Sequence, residues 1–244
     1  MNISQGLTEL KKQGIPHHVA IIPDGNRRYA EKVGTDFYSA YSKGAEKARE
    51  VAKWARDVGI TYLTFYSLSS ENLARRSNKE LQFLFRIFEE KFKELIKNEE
   101  IHKTETRVHV LGKKESLPQS LQDIIRKIEE ETKKYDEYHL TFLIGYSGRD
   151  EIIHAAKSLL REGIDPSEVD RKVFSSFLYF GQNGIPDPDM VIRTSGEVRL
   201  SNFLLWEVAY SELFFVSPLW PEFSYEDFIR TIKEFKERNM RFGQ

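Results

Sequence analysis

Cysteine is missing from all 244 residues. That excludes disulfides, thiolate nucleophiles and Cys-ligated metal centres, and it suits a reducing cytosol. Long apolar runs are missing too. No stretch approaches the roughly 18 apolar residues that read as a membrane span, and the opening MNISQGLTELKKQG is too polar for a secretory signal. The expected location is the cytoplasm. Neither sign of charge is in excess: 37 Lys and Arg face 38 Asp and Glu, for a net charge of -1. That balance argues against a general nucleic-acid binder, so any anion site must be built locally from clustered Arg and backbone N–H groups. Familiar motifs are absent as well. There is no G-x-x-x-x-G-K-[ST], no G-x-G-x-x-G after a strand, no G-x-S-x-G elbow and no H-E-x-x-H. The six histidines (His17, His18, His102, His109, His139, His154) show no metal-ligand spacing.

What is present is an ordinary globular mixture, 40% hydrophobic and 31% charged. No internal repeat, low-complexity tract or Pro/Gly-rich linker divides it. Short apolar strands alternate with amphipathic helices, which predicts one α/β domain over 1–244 with a mainly parallel central sheet of about six strands flanked by helices. The strands are expected at His18–Ile22, Ile60–Tyr66, Arg107–Leu111, His139–Ile144, Met190–Arg193 and Leu213–Val216. A helix from about Ser39 to Val58 carries Ala45, Ala48, Val51, Ala52 and Ala55 on one face, with Gly59 as its stop. A long helix runs from Ser77, through the capping-box pattern Ser-Asn-Lys-Glu, to about Asn98. Others follow between the third and fourth strands, at about Asp150–Arg161, at Arg171–Tyr179, and from Ser224 to near Asn239.

Ligands of open parallel sheets bind beyond the carboxyl ends of the strands, so the segments after each strand matter. After the first comes Pro23-Asp24-Gly25-Asn26-Arg27-Arg28. Gly25 permits a tight turn, successive N–H groups at a helix N-terminus cradle an anion, and two Arg add charge. Asp24 beside a phosphate requires an intervening cation, and a carboxylate plus diphosphate oxygens is the usual way to hold Mg²⁺. The plainer alternative is a turn whose Asp or Asn caps the next helix. After the fifth strand comes Arg193-Thr194-Ser195-Gly196-Glu197-Val198-Arg199-Leu200-Ser201-Asn202, where Arg offers bidentate recognition of phosphate. The alternative is a solvated loop with Arg193 paired to Glu197. Glu212 is a second candidate Mg²⁺ carboxylate or simply a solvated residue. After the second strand, Ser69, Ser70, Glu71, Asn72, Arg75 and Arg76 suit a polar ligand or an ordinary surface loop. Glu80 is explained by the capping box.

Together these segments resemble the cis-prenyltransferases, the undecaprenyl or polyprenyl diphosphate synthases. The likeness runs from His18 to Gly243 through Asp24-Gly25-Asn26 with Arg28, Ser69-Ser70-Glu71-Asn72, Gly145-Tyr146-Ser147-Gly148-Arg149, Ile192 to Glu197, Arg199 to Trp206, Tyr210 to Leu213 and Leu219-Trp220-Pro221. The D-D-x-x-D motif of trans-prenyl synthases is absent. The resemblance implies condensation of isopentenyl diphosphate with an allylic prenyl diphosphate, with Mg²⁺ as cofactor. It implies that Asp24 holds the metal and assists the reaction, and that Glu212 completes the metal site. Asn72 would act near the reacting centre. Gly25, Asn26, Arg27 and Arg28 would take the allylic diphosphate, with Ser69, Ser70, Glu71, Arg75 and Arg76 close by, and Arg193, Arg199 and Ser201 would take isopentenyl diphosphate. Arg241 and Gly243 match an R-x-G that reaches across a homodimer. A lipid product further implies peripheral membrane contact, and the long helix would line a hydrophobic cleft or tunnel. The chain departs from the family at Phe37 (Arg), Tyr41 (His), Leu73 (Trp) and Val198 (His), and either Arg75 or Arg76 matches a single family Arg. The rival reading is a non-catalytic partner subunit of a heteromeric synthase. Such relatives tend to lose the first-loop aspartate, and Asp24 is present here. An unrelated phosphate-ligand domain is the third.

Overall fold

The computed structural model describes residues 14–242, with side chains as far as Arg238. β1 (His18–Ile22) leads into α1 (Asn26–Val33) and α2 (Phe37–Val58), then β2 (Tyr62–Ser69), α3 (Ser70–Arg75), α4 (Asn78–Ile96), α5 (Glu99–Lys103) and β3 (Thr106–Leu111). α6 (Gln119–Thr132), β4 (Tyr138–Tyr146), α7 (Gly148–Glu162), α8 (Arg171–Ser175), α9 (Tyr179–Gln182), β5 (Met190–Arg193), β6 (Glu212–Phe215) and α10 (Tyr225–Phe242) complete the chain. The strands form one sheet in the order β3-β4-β2-β1-β5-β6, and every neighbouring pair is parallel. All six expected strands are present. β1 sits between β2 and β5, so the chain departs in opposite directions from it, which is where open parallel sheets place ligands. No helix among the described residues is long and apolar enough to cross a membrane.

Two local features differ from expectation. α3 is helical where the sequence reads as loop. It is short and polar, so it carries little apolar periodicity. The helix expected at Arg171–Tyr179 is broken after Ser175. The break buries Leu178 and Phe180, at 1% and 2% exposure, and Ser175 accepts a bond from Trp206 Nε1 at 2.9 Å. Burial and a tertiary bond outweigh the helical continuity of this short segment.

α2 and α4 cover the same face of the sheet but belong to different cores. Val51, Ala55 and Val58 of α2 pack with β1, β5 and α10 around Val19, Ile192 and Phe228. Leu84 and Phe92 of α4 pack with β3, β4 and α6 around Val110, Ile125 and Ile144. Between them a cavity of about 1950 Å³ remains, and the small Ala45, Ala48 and Ala52 of α2 are among the residues that line it.

Candidate active site

The site begins where β1 ends. Asp24 N–H turns back to Ile22 O at 2.9 Å. Gly25 then adopts φ 111°, and a Cβ there would also lie 3.0 Å from Leu219, so glycine is required on both counts. No side chain caps α1. The simple-turn alternative, with Asp24 or Asn26 as cap, is thereby corrected, and the first N–H groups of α1 are left for an anion. Gly44 of α2 admits the Asn26 amide, whose Oδ1 would sit 2.3 Å from any Cβ at that position.

The second half comes from the end of β5. Arg193 is 4% exposed. Its guanidinium donates to Asp24 Oδ2 at 2.8 Å, Ser201 Oγ at 2.8 Å and Arg199 O at 2.5 Å. The Arg193–Glu197 pair of the solvated-loop alternative does not form. Glu197 instead pairs with Arg199 and lies 3.4 Å from Arg28. Arg28 also donates to Ser195 O and Ser195 Oγ, at 3.1 and 2.6 Å. The loop that presents these groups is conformationally costly: Ser195, Ser201, Asn202 and Leu204 are non-glycine residues at φ 78°, 53°, 64° and 40°. Such clusters persist only where surrounding contacts over-determine them, and they mark functional loops.

Asn202 supplies much of that support. Its amide donates to Glu71 Oε1 at 2.6 Å and Ser147 Oγ at 2.7 Å, and its Oδ1 accepts from Arg149 N–H at 3.0 Å. The Ser-Ser-Glu-Asn, Gly-Tyr-Ser-Gly-Arg and Arg193 segments therefore meet at one side chain. This assigns work to residues expected to bind substrate. Ser69 caps α3 by accepting from Asn72 N–H at 3.0 Å, and Glu71 holds Asn202. Ser70 donates to Gly145 O at 3.0 Å and is not among the cavity-lining residues, because its hydroxyl is turned to the end of β4. Asn72 is exposed and faces the cavity. Arg149 lines the cavity too and was missed as a candidate, although its motif was visible.

Arg27, Arg75 and Arg76 line the mouth on the side of α1. Arg76 is the inward one: it donates to Tyr41 OH and is 14% exposed, whereas Arg75 is exposed. Glu80, explained in sequence by capping alone, reaches Arg27 at 2.6 Å.

From this mouth the cavity descends between α2 and α4. Leu84 and Phe88 line it near the top, and Leu95 and Ile101 line the far end near Thr106 and His139, where the strands begin. α4 spans 19 residues, about 28 Å at 1.5 Å each. Polar anion sites thus open onto one long passage lined by Ala, Leu, Ile and Phe side chains together with charged ones such as Arg49, Arg56 and Lys91.

Glu212 does not join Asp24 within a chain. It pairs with Met190 at the start of β5, whereas Asp24 follows Ile22, which pairs with Arg193 at its end. The two carboxylates lie at opposite ends of the strands, at least about 10 Å apart along them, and Glu212 is bound by Arg238 at 2.8 Å. Among the described residues no group of three or more His, Cys, Asp or Glu could hold a metal. Mg²⁺ needs no such cage. It commonly takes one carboxylate, diphosphate oxygens and waters, and Asp24, 31% exposed at the cavity, fits that role. Gly243 and the side chain of Arg241 lie outside the described residues.

Behind the loop lies a buried acid. Glu207 is 2% exposed and both carboxyl oxygens lack a partner. Burial first, and then the nearby Glu151, pushes its pKa from 4.5 up to about 8. Stability that depends on this proton is complete below pH 4.5 and is lost as pH rises through about 8. Glu207→Gln, permanently neutral, is expected to match the wild type near pH 4.5 and exceed it at pH 8, by on the order of a few kcal/mol. Urea unfolding across that range checks this. A gap that does not vary with pH would show that the carboxyl is not the titrating group.

Comparison with known proteins agrees with this layout. Residues 22–243 match a prenyltransferase family model described as undecaprenyl diphosphate synthase. The tritrans,polycis-undecaprenyl-diphosphate synthase (geranylgeranyl-diphosphate specific) of Thermoplasma acidophilum is 46% identical over 98% of this chain and 93% of its own length. The protein of the same name from Thermococcus kodakarensis is 43% identical over 98% and 90%. Among solved structures, lavandulyl diphosphate synthase from Lavandula x intermedia in complex with dimethylallyl diphosphate superposes with a TM-score of 0.86. It is 31% identical over 93% of this chain and 96% of that one. A probable undecaprenyl diphosphate synthase from Campylobacter jejuni gives a TM-score of 0.77 at 28% identity, over 95% and 100%.

Proposed function

The chain belongs to the undecaprenyl diphosphate synthase family and is a cis-prenyltransferase, and from that premise we propose that it adds isopentenyl diphosphate units to geranylgeranyl diphosphate. The starter follows the names of the archaeal relatives. The observation that carries the reading is the Asp24–Arg193 pair, which stands between two anion sites and above the long passage.

The allylic diphosphate binds the open N–H groups of α1 with Arg27, Arg28 and Arg76. Isopentenyl diphosphate binds Arg193, Arg199 and Ser201. Side by side, the allylic C1 faces the isopentenyl double bond. The C1–O bond stretches, the double bond attacks C1, diphosphate leaves and a proton is lost to set the cis double bond. Asp24 would hold Mg²⁺, which when bound neutralises the leaving diphosphate. Arg27 and Arg28 stabilise the same developing charge, and Asn72 orients the reacting end. The growing chain leaves water along the passage, at about 25 cal/mol per Å² buried. Such a lipid product implies peripheral contact with a membrane. A homodimer along the open β6 edge belongs to the same reading. It would carry Arg241 and Gly243 towards the neighbouring site, and Glu212 remains a metal ligand only across such a contact.

The direct test is to incubate the chain with isopentenyl diphosphate, geranylgeranyl diphosphate and Mg²⁺ and resolve the products by length. No elongation would favour the non-catalytic subunit. The passage gives a further expectation. Leu84 and Phe88 of the long helix lie near its mouth, so the length determinants lie deeper. Ala45→Phe should shorten the product more than Ala52→Phe, since seven helical residues separate them by about 10 Å, and Leu95→Ala should lengthen it. Unchanged lengths in all three folded variants would place the product elsewhere.

A further inference from the structure

In a capping box the carboxylate at the fourth position returns to the N–H of the capping residue. Only half of that arrangement forms at Ser77-Asn78-Lys79-Glu80. Glu80 N–H donates to Ser77 Oγ at 3.3 Å, but no bond from Ser77 N–H to the Glu80 carboxylate is found among the described residues. The carboxylate points the other way. Its Oε1 accepts from Arg27 at 2.6 Å and lies 3.5 Å from Arg76. Arg76 donates to Tyr41 OH, its guanidinium carbon lies 5.2 Å from that ring's centroid, and its buried Nε has no partner. Arg27 comes from α1, Tyr41 from α2 and Arg76 from the α3–α4 junction, and all three line the mouth of the cavity.

Of the cations nearest the Asp24 loop, Arg193 is held by Asp24 and Ser201, Arg28 by Ser195, and Arg199 by Glu197. Position 37 offers Phe and no charge. Two guanidiniums on one carboxylate leave the Glu80 cluster with net positive charge facing the cavity. We propose that Glu80 is a positioning residue that ties Arg27 and Arg76 together as the receptor of the allylic diphosphate. This rests on the allylic site assigned above.

Glu80→Gln tests it, because Gln serves a capping box as well as Glu does and a purely capping role would leave the variant silent. The expected result is a KM and a directly titrated Kd for geranylgeranyl diphosphate raised about tenfold, equivalent to ~1.4 kcal/mol. The KM for isopentenyl diphosphate and the melting temperature should not change. Glu80→Asp should recover part of the loss. In an Arg27→Ala/Arg76→Ala background, Glu80→Gln should have no further effect. Unchanged allylic binding overturns the proposal. So does tighter binding, which would mean that the carboxylate acts only as an opposing charge, and so does an equal rise in both KM values. If the wild type neither binds nor elongates geranylgeranyl diphosphate, the site assignment itself fails and the inference falls with it.

Discussion

Asp24→Ala is expected to lower kcat by about 10³-fold while changing the affinity for isopentenyl diphosphate far less. The magnitude is that of removing one electrostatic group aimed at developing charge in a water-poor site. Asp24 is the carboxylate that both halves of the site share: one oxygen accepts from Arg193 at 2.8 Å and the other lies 3.7 Å from Arg28. Isopentenyl diphosphate keeps Arg199, Ser201 and the freed Arg193, so its binding has little to lose. Asp24→Asn separates charge from placement. It can still accept from Arg193, yet it is a poor metal ligand, so its kcat should fall nearly as far. Single-turnover rates with an isopentenyl diphosphate titration would measure both. Near-normal turnover in either variant would remove Asp24 from the mechanism.

The extent to which this was readable from sequence follows from which interactions are local. The six strands were legible because a buried strand is a short apolar run bounded by turn residues, as in His18–Ile22 and Met190–Arg193. Asp24, Arg28 and Arg193 were legible as candidates because they follow strands. What they do to one another was not, since Arg193 and Asp24 are brought together only by the β1–β5 register. Glu212 shows the same dependence in reverse: the motif supplied a carboxylate, and the register put it at the other end of the strands from the Asp24 of its own chain. Glu80 satisfied a local pattern so well that its long-range partners were invisible. Ser70 and Glu71 were legible as polar loop residues, but not their bonds to other segments, Ser70 to Gly145 O and Glu71 to Asn202.

Arg193 and Arg199 carry the same side chain six residues apart, and the sequence predicts the same effect for both, a raised KM for isopentenyl diphosphate. The structure separates them. Arg199 is 58% exposed and pairs with Glu197, so Arg199→Ala should raise that KM by about tenfold and spare kcat, the loss expected of one charge-assisted bond. Arg193 is buried and joins Asp24, Ser201 and the Arg199 carbonyl in one fork. Its removal takes the phosphate contact, leaves Asp24 without its partner, and frees a loop held at positive φ by those bonds. At about 1.5–3 kcal/mol for each hydrogen bond to a charged group, loss of two or more should lower kcat/KM by roughly 10³-fold, with kcat and KM both affected. Arg193→Lys should recover little, because a single ammonium cannot reproduce a planar fork that serves three acceptors. Steady-state kinetics on the three variants, varying each substrate in turn, decide it. If Arg193→Ala changes only the KM for isopentenyl diphosphate, as Arg199→Ala does, the fork is a binding contact alone and the coupling to Asp24 has no catalytic consequence.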